Sequence, residues 1–171
     1  MKSCTVEPRE GNPEPRYHAF PGGSINSMGL PNLGYTRYIE FSHALKEKYT
    51  KPIIASVVGM KPDDFLIIAE AFERDGRADA LEINLSCPNV VGKPQIGYDF
   101  ETSRDILTRI TRLKQNCAIG VKLPPYFDFV HYEMMAKILL DLPIDFITCI
   151  NSVGNTLVLD PETYRPLIKP K

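Results

Sequence analysis

The sequence lacks the closely spaced cysteine pairs that are typical of zinc sites and disulfide frameworks. Its four cysteines lie far apart, at positions 4, 87, 117 and 149, and the three histidines at positions 18, 43 and 131 are equally scattered. We therefore expect neither a metal centre nor a disulfide network. Cys117 and Cys149 lie within or beside apolar runs, which predicts that they pack in the core.

The sequence also lacks an excess of charge of one sign and a long hydrophobic run. Lys and Arg number 20 against 21 Asp and Glu, so the formal net charge is -1. This balance does not favour nucleic acid or an anionic membrane surface as a partner. No apolar run is long enough to cross a bilayer, and the first residues do not resemble a signal peptide. We therefore expect a soluble, cytoplasmic protein.

The chain does contain a repeated alternation of short apolar runs and amphipathic segments. Strands are predicted at residues 53–58, 80–85, 118–123 and 146–150. Since these runs show little alternation, they are typical of strands covered on both faces, as in a parallel sheet. The pattern predicts an α/β protein, either a (β/α) barrel or a doubly wound sheet. No Gly-x-Gly-x-x-Gly motif or P-loop follows any of these strands, which argues against a Rossmann site.

Helices are predicted between these strands and before the first of them, at residues 35–49. Pro62, Asp63 and Asp64 suit a helix start, and Gly76 suits its end. The expected buried stripe of that helix consists of Phe65, Ile68, Ala69 and Phe72. The helix after Asp99 is expected to bury Ile106, Ile110 and Leu113. The helix after Phe129 is expected to bury Met134, Met135, Ile138 and Leu139. Residues 6–33 and 86–98 are expected to be long, functional loops.

Polar residues cluster where the predicted strands end. They are Asn84, Ser86, Cys87 and Asn89 after one strand, Lys122 at the end of another, and Asn151, Ser152 and Asn155 after a third, with Lys2 and Ser3 before the first loop. In a parallel barrel these strand ends meet on one face. Asparagine offers donors and acceptors that suit an amide or imide ring, and lysine suits an anionic group. Cys87 is a candidate acid/base or nucleophile, or else a half-buried structural thiol.

Ten segments of the chain resemble the class 1A, fumarate-linked dihydroorotate dehydrogenases. They are residues 2–5, 9–13, 15–17, 24–32, 84–89, 92–95, 98–101, 120–128, 151–155 and 168–171. The most specific are N-S-M-G-L-P-N at 26–32 and N-L-S-C-P-N at 84–89. The resemblance implies a (β/α) TIM-type barrel with FMN at its carboxyl face. It also implies oxidation of dihydroorotate to orotate in de novo pyrimidine synthesis, fumarate as oxidant, and a homodimer.

The resemblance also implies a role for individual residues. Cys87 would be the base that removes a proton from C5 of dihydroorotate, and residues 86–98 would form the mobile segment that carries it. The substrate-binding set would be Lys2, Asn26, Met28, Gly29, Leu30, Asn84, Asn89, Asn151 and Ser152. The cofactor-binding set would be Lys2, Ser3, Asn26, Asn84, Lys122, Asn151 and Ser152.

The chain departs from the family pattern in extent and at two positions. The family's first strand would precede Lys2, and its later strands and phosphate-binding loops would follow Lys171, so we expect residues 1–171 to form a partial barrel domain and a fragment inactive by itself. Val91 stands where the family usually has proline. Thr156 replaces a common glycine and would be strained if φ were positive there. Alternative functions are a dihydropyrimidine dehydrogenase-like, pyrimidine-reducing domain and a non-catalytic partial-barrel remnant.

Overall fold

The computed structural model describes residues 1–87, 95–113 and 116–169. Their elements in chain order are β1 (Tyr17–Phe20), β2 (Gly23–Asn26), α1 (Tyr35–Lys48), β3 (Ile54–Val57), α2 (Pro62–Asp75), β4 (Ala80–Asn84), a 3₁₀ turn (Ile96–Tyr98), α3 (Phe100–Leu113), β5 (Ala118–Lys122), α4 (Phe129–Leu140) and β6 (Phe146–Thr148). None of the described helices has the length and apolar character needed to cross a membrane.

Strands β3, β4, β5 and β6 form one parallel sheet in that order. Ile54 pairs with Ala80, Ala80 with Ala118, and Gly120 with Phe146. A helix follows each of the first three strands, which is the connection that parallel neighbours require. The predicted parallel β/α arrangement is confirmed.

The N-terminal residues extend the sheet beyond β3. Cys4 forms a parallel bridge with Val57. Its N–H donates to the Ser56 carbonyl at 3.0 Å, and its carbonyl accepts from the Val58 N–H at 3.0 Å. This pairing places Lys2 and Ser3 beside β3, at the edge of the parallel sheet.

Helix α2 begins and ends where its sequence predicts. Pro62 occupies the first turn, and the Asp64 carboxylate accepts from the Met60 N–H at 2.9 Å and the Lys61 N–H at 3.1 Å. Gly76 ends the helix with φ 68°, a left-handed conformation that glycine adopts without strain. The predicted stripe is buried as expected: Phe65, Ile68, Ala69 and Phe72.

Several expectations about local structure and packing were wrong. Residues 17–26 form an antiparallel hairpin within the stretch expected to be irregular. Met134 is 44% exposed while Met135 is buried, because α4 is apolar around much of its circumference and its sequence does not say which side faces the core. Leu113 and Leu139 are only partly buried, and on the helix of Leu113 the buried residue is Leu107. Cys149 is exposed, since it follows β6 at the open side of the sheet.

Gly120 and Phe146 pack against each other across β5 and β6. A Cβ atom at Gly120 would lie 2.2 Å from the Phe146 ring. The aromatic ring therefore fills the space that any other residue at position 120 would need.

The region after β5 carries several exposed apolar side chains. Phe127 is 79% exposed, Phe129 87% and Leu140 86%. Large apolar side chains that remain in contact with water favour association with another surface.

Candidate active site

A cavity of about 390 Å³ opens at the carboxyl ends of the strands. The predicted site residues that line it are Lys2, Ser3, Asn26, Met28, Gly29, Leu30, Asn84, Cys87, Lys122, Asn151 and Ser152. Asn89 and Val91 lie outside the described residues. Side chains separated by up to 150 positions in sequence are thus brought together because parallel strands end at one edge.

Asn84 and Asn151 are held in fixed orientations around Ser86. The Asn84 Oδ1 accepts from the Ser86 N–H at 3.1 Å and from its hydroxyl at 2.8 Å. The Asn151 Nδ2 donates to the Ser86 carbonyl at 3.0 Å and to its hydroxyl at 2.9 Å, and Asn151 Oδ1 accepts from the Ser152 N–H at 2.9 Å. Because backbone groups act only as donor or only as acceptor, these contacts fix which end of each amide is the oxygen.

The loop that contributes Met28, Gly29 and Leu30 is shaped by Asn32. This buried side chain accepts from the Thr5 N–H at 3.1 Å and the Gly34 N–H at 2.9 Å, and it donates to the Leu30 carbonyl at 3.0 Å. Gly29 has φ 73°, and a Cβ there would lie 2.5 Å from the Asn12 nitrogen. Both the turn and the close approach of Asn12 require glycine at this position.

The described residues that line the cavity carry positive charge. Lys2 and Lys122 line it, and no aspartate or glutamate is among the described residues that do. A cavity of this character attracts an anionic ligand.

Cys87 is the one cysteine among the described residues that line the cavity. Burial raises the pKa of the Cys4 thiol to about 12. Burial, together with the nearby Glu73 carboxylate, also raises the pKa of the Cys117 thiol to about 12. These two thiols therefore stay protonated at neutral pH, and Cys117 packs in the core as predicted.

Two tyrosines connect the segment that follows β4 to the segment that follows β5 by hydrogen bonds. The Tyr98 hydroxyl donates to the Pro125 carbonyl, and the Tyr126 hydroxyl donates to the Gly97 carbonyl at 2.6 Å. Their rings meet edge to face at 5.6 Å between centroids. Burial raises the pKa of Tyr126, so its hydroxyl remains a donor. The Tyr98 N–H donates to the Gln95 carbonyl at 3.0 Å, and Gln95 lines the cavity.

Sequence reasoning did not assign several residues that line the cavity. They are Asn12, Ser27, Gln95, Val153 and Gly154, whereas Ser86 lines the cavity as expected and Asn155 does not. Asn12 donates to the Ser27 carbonyl at 2.7 Å, and the Gln95 Oε1 is buried without a hydrogen-bond partner among the described residues. Asn12 and Gln95 both belong to segments that carried the family resemblance, and those segments could have indicated that the two residues line the cavity.

Comparison with solved structures identifies the fold. Dihydroorotate dehydrogenase from Eimeria tenella in complex with ferulenol matches 96% of this chain with a TM-score of 0.68 and 22% sequence identity, and this match covers 51% of that structure. The ligand-free enzyme from the same organism matches 95% of the chain with a TM-score of 0.67 and 23% identity. The chain is therefore an incomplete (β/α) barrel, as expected.

The family model for dihydroorotate dehydrogenase matches residues 1–171. The chain belongs to this family. It is 47% identical to dihydroorotate dehydrogenase (fumarate) of Trypanosoma cruzi and 46% identical to that of Lachancea kluyveri, in each case over 99% of this chain. The chain spans about half the length of these relatives, 55% and 54% respectively. Their names support the fumarate-linked dehydrogenases over the dihydropyrimidine dehydrogenase alternative.

Proposed function

We propose that this chain forms the substrate-facing part of an FMN-dependent dihydroorotate dehydrogenase that acts in pyrimidine biosynthesis. The observation that carries the proposal is the composition of the cavity: two lysines, several oriented asparagines and one thiol, with no carboxylate among the described lining residues. Dihydroorotate is an anion with ring amide groups, so it needs this combination of cations, donors and acceptors.

The donor set of the cavity fits a flavin ring. Flavins carry carbonyl and ring-nitrogen acceptors, and Lys122 and Lys2 offer cationic donors to such atoms. The residues that would hold FMN are Lys2, Ser3, Asn26, Asn84, Lys122, Asn151 and Ser152. When bound, FMN supplies the acceptor for the hydride that leaves C6 of dihydroorotate.

Cys87 is the proposed catalytic base. Oxidation of the C5–C6 bond to a double bond requires loss of a proton from C5 as well as the hydride from C6. The Cys87 Sγ, as thiolate, would take the C5 proton and form a neutral thiol. Orientation of the substrate would come from Lys2, Asn26, Asn84, Asn151 and Ser152, with the backbone and side chains of residues 28–30 and with Asn89.

Further elements of the proposal follow from the family. Residues 1–171 are proposed as a partial barrel that lacks the first strand and the C-terminal half. Fumarate, which the relatives' names contain, is the proposed oxidant. A homodimer in the cytoplasm is the proposed assembly and location.

The proposal is tested in a complete barrel. The chain is joined to the segments of the Trypanosoma cruzi relative that it does not match, giving a protein that we call the completed barrel. We expect the completed barrel to bind FMN, and dihydroorotate to bleach the flavin absorbance under anaerobic conditions, with orotate as product. A completed barrel that retains FMN but is not reduced by dihydroorotate would contradict the proposal and favour the non-catalytic alternative.

A further inference from the structure

A continuous chain of hydrogen bonds runs behind the cavity from Glu82 to Asn84. Glu82 lies in the middle of β4, where its Oε1 accepts from the Ser56 hydroxyl at 2.8 Å and its Oε2 accepts from the Thr148 hydroxyl at 2.7 Å. The Ser56 and Ser3 hydroxyl oxygens are 2.8 Å apart, and Asn84 Nδ2 donates to Ser3 Oγ at 3.1 Å. Bulky apolar residues usually dominate such an interior, so this polar network needs a reason.

At one end of this series of hydrogen bonds, the Glu82 carboxylate determines which group donates and which accepts. A carboxylate accepts hydrogen bonds and does not donate them, so Ser56 must give its single hydroxyl hydrogen to Glu82. Ser56 can then only accept from Ser3. The Ser3 hydrogen is thereby committed to Ser56, and Ser3 presents only lone pairs to its other neighbours.

The backbone fixes the direction at the other end. The Ser86 N–H can only donate, and it donates to Asn84 Oδ1 at 3.1 Å. The amide group that faces Ser3 is therefore the NH₂ of Asn84, which needs an acceptor there. Glu82 and the Ser86 backbone thus impose the same direction from opposite ends.

We propose that Glu82 is a positioning residue that acts on the cavity through Ser56 and Ser3. By taking the Ser56 hydrogen it holds Ser3 as an acceptor, and Ser3 in turn holds the Asn84 amide. The second N–H of Asn84 is then available to a ring carbonyl of a bound ligand, and Ser3 offers its remaining lone pair to a ring N–H. Ser3 and Asn84 line the cavity, whereas Glu82 lies outside the lining.

Two substitutions at Glu82 distinguish the loss of its hydrogen-bond acceptor from the loss of its negative charge. Glu82→Met removes the acceptor, so the Ser56 hydrogen can turn to Ser3 and Ser3 is no longer held as an acceptor. Glu82→Gln keeps an acceptor for Ser56 if its NH₂ turns to Thr148, whose hydroxyl can accept. Glutamine should therefore rescue what methionine damages.

The first test uses no ligand. In the completed barrel labelled with ¹⁵N-asparagine, NMR would measure solvent exchange of the Asn84 side-chain hydrogens. We expect exchange about fivefold faster in Glu82→Met and in Ser56→Ala, the equivalent of about one hydrogen bond. Glu82→Gln and the isosteric control Thr148→Val should match the parent. Parent-like exchange in Ser56→Ala would overturn the proposal, and Ser56→Ala decides it alone if Glu82→Met does not fold.

The second test measures orotate affinity and rests on the proposed function. Glu82→Met and Ser56→Ala should each weaken binding by about fivefold, and the double variant should be no weaker than Ser56→Ala, because Glu82 acts through Ser56. Additive losses, or a Glu82→Gln protein as impaired as Glu82→Met, would overturn the proposal. If the parent itself binds no orotate, the proposed substrate is wrong, while the exchange measurement still decides the role of Glu82.

Discussion

Asn151 donates through Nδ2 to the backbone carbonyl of Ser86, 3.0 Å away, and so ties the loop after β6 to the residue that precedes Cys87. The two residues are 65 positions apart in sequence. This contact joins the segment that carries the proposed base to the segment that carries two proposed ligand contacts, Asn151 and Ser152. The placement of the thiol therefore depends on the loop after β6.

Replacing the Cys87 thiol by a hydroxyl should slow the chemical step. Cys87→Ser keeps the shape of the side chain, but a hydroxyl ionises far less readily than a thiol. In the completed barrel we expect flavin reduction by dihydroorotate to slow by roughly 10²-fold or more, with orotate binding largely retained and a residual rate that rises with pH. Anaerobic stopped-flow absorbance measures the rate. The exposed Cys149, changed to serine, is the matched control, and parent-like reduction in Cys87→Ala would remove Cys87 from the mechanism.

Loss of the Lys122 cation should affect the flavin. Lys122 ends β5 and lines the cavity, where a cation would stabilise negative charge that develops on the reduced cofactor. Lys122→Ala in the completed barrel should weaken FMN retention or slow flavin reduction, whereas Lys137→Ala, on α4, should do neither. Flavin content after gel filtration and the stopped-flow rate are the two readouts. Unchanged values of both would show that Lys122 has no such role.

The buried thiols should make stability fall at high pH. The pKa of Cys4 and of Cys117 is raised from 9.0 to about 12 in the folded chain. Below pH 9 the thiols are protonated in both the folded and the unfolded chain, so the free energy of unfolding keeps its full value. Between pH 9 and about 12 the unfolded chain loses protons that the folded chain keeps, so the free energy of unfolding should drop by about 1 kcal/mol per pH unit for each thiol.

Urea unfolding of the completed barrel at several pH values would measure this loss. Cys117→Ala should lower stability overall but flatten its decline above pH 9. Cys149→Ser removes an exposed thiol and should leave the slope unchanged. A slope in Cys117→Ala as steep as the parent's would contradict the assignment.

The 171-residue chain expressed by itself should be poorly soluble and bind no FMN. Phe127, Phe129 and Leu140 are largely exposed, and β6 pairs with β5 alone among the described strands. An unpaired strand edge beside apolar surface favours aggregation. Gel filtration and flavin absorbance would test this, with the completed barrel as the soluble control. A monomer with stoichiometric FMN would disprove it.

Local signals in the sequence predicted the sheet and the polar residues at the strand ends, whereas Asn26 and residues 28–30 were assigned to the site only by the family resemblance. Pro62 and Gly76 marked the start and the end of α2. Asn84 and Lys122 were expected at the ends of neighbouring strands, and they end β4 and β5. The possible strain at Thr156 does not arise, because the positive φ falls on Asn155 at 61°, and asparagine tolerates that conformation.

The network around Glu82 was beyond sequence reasoning. Glu82 lies in the middle of an apolar run, and its partners Ser56 and Thr148 are 26 and 66 positions away. Nothing local to any of the three indicates that they meet, because only the register of the four strands from β3 to β6 brings them together.

The contact between Gly120 and Phe146 means that these two positions cannot be mutated independently. A Cβ at position 120 would lie 2.2 Å from the ring, so even alanine there requires the ring to leave. A library that randomises position 120 alone should return glycine, whereas a library that randomises both should recover alanine or serine at 120 together with a small residue at 146. In homologous barrels we expect a larger residue at the position of Gly120 to occur together with a smaller residue at the position of Phe146.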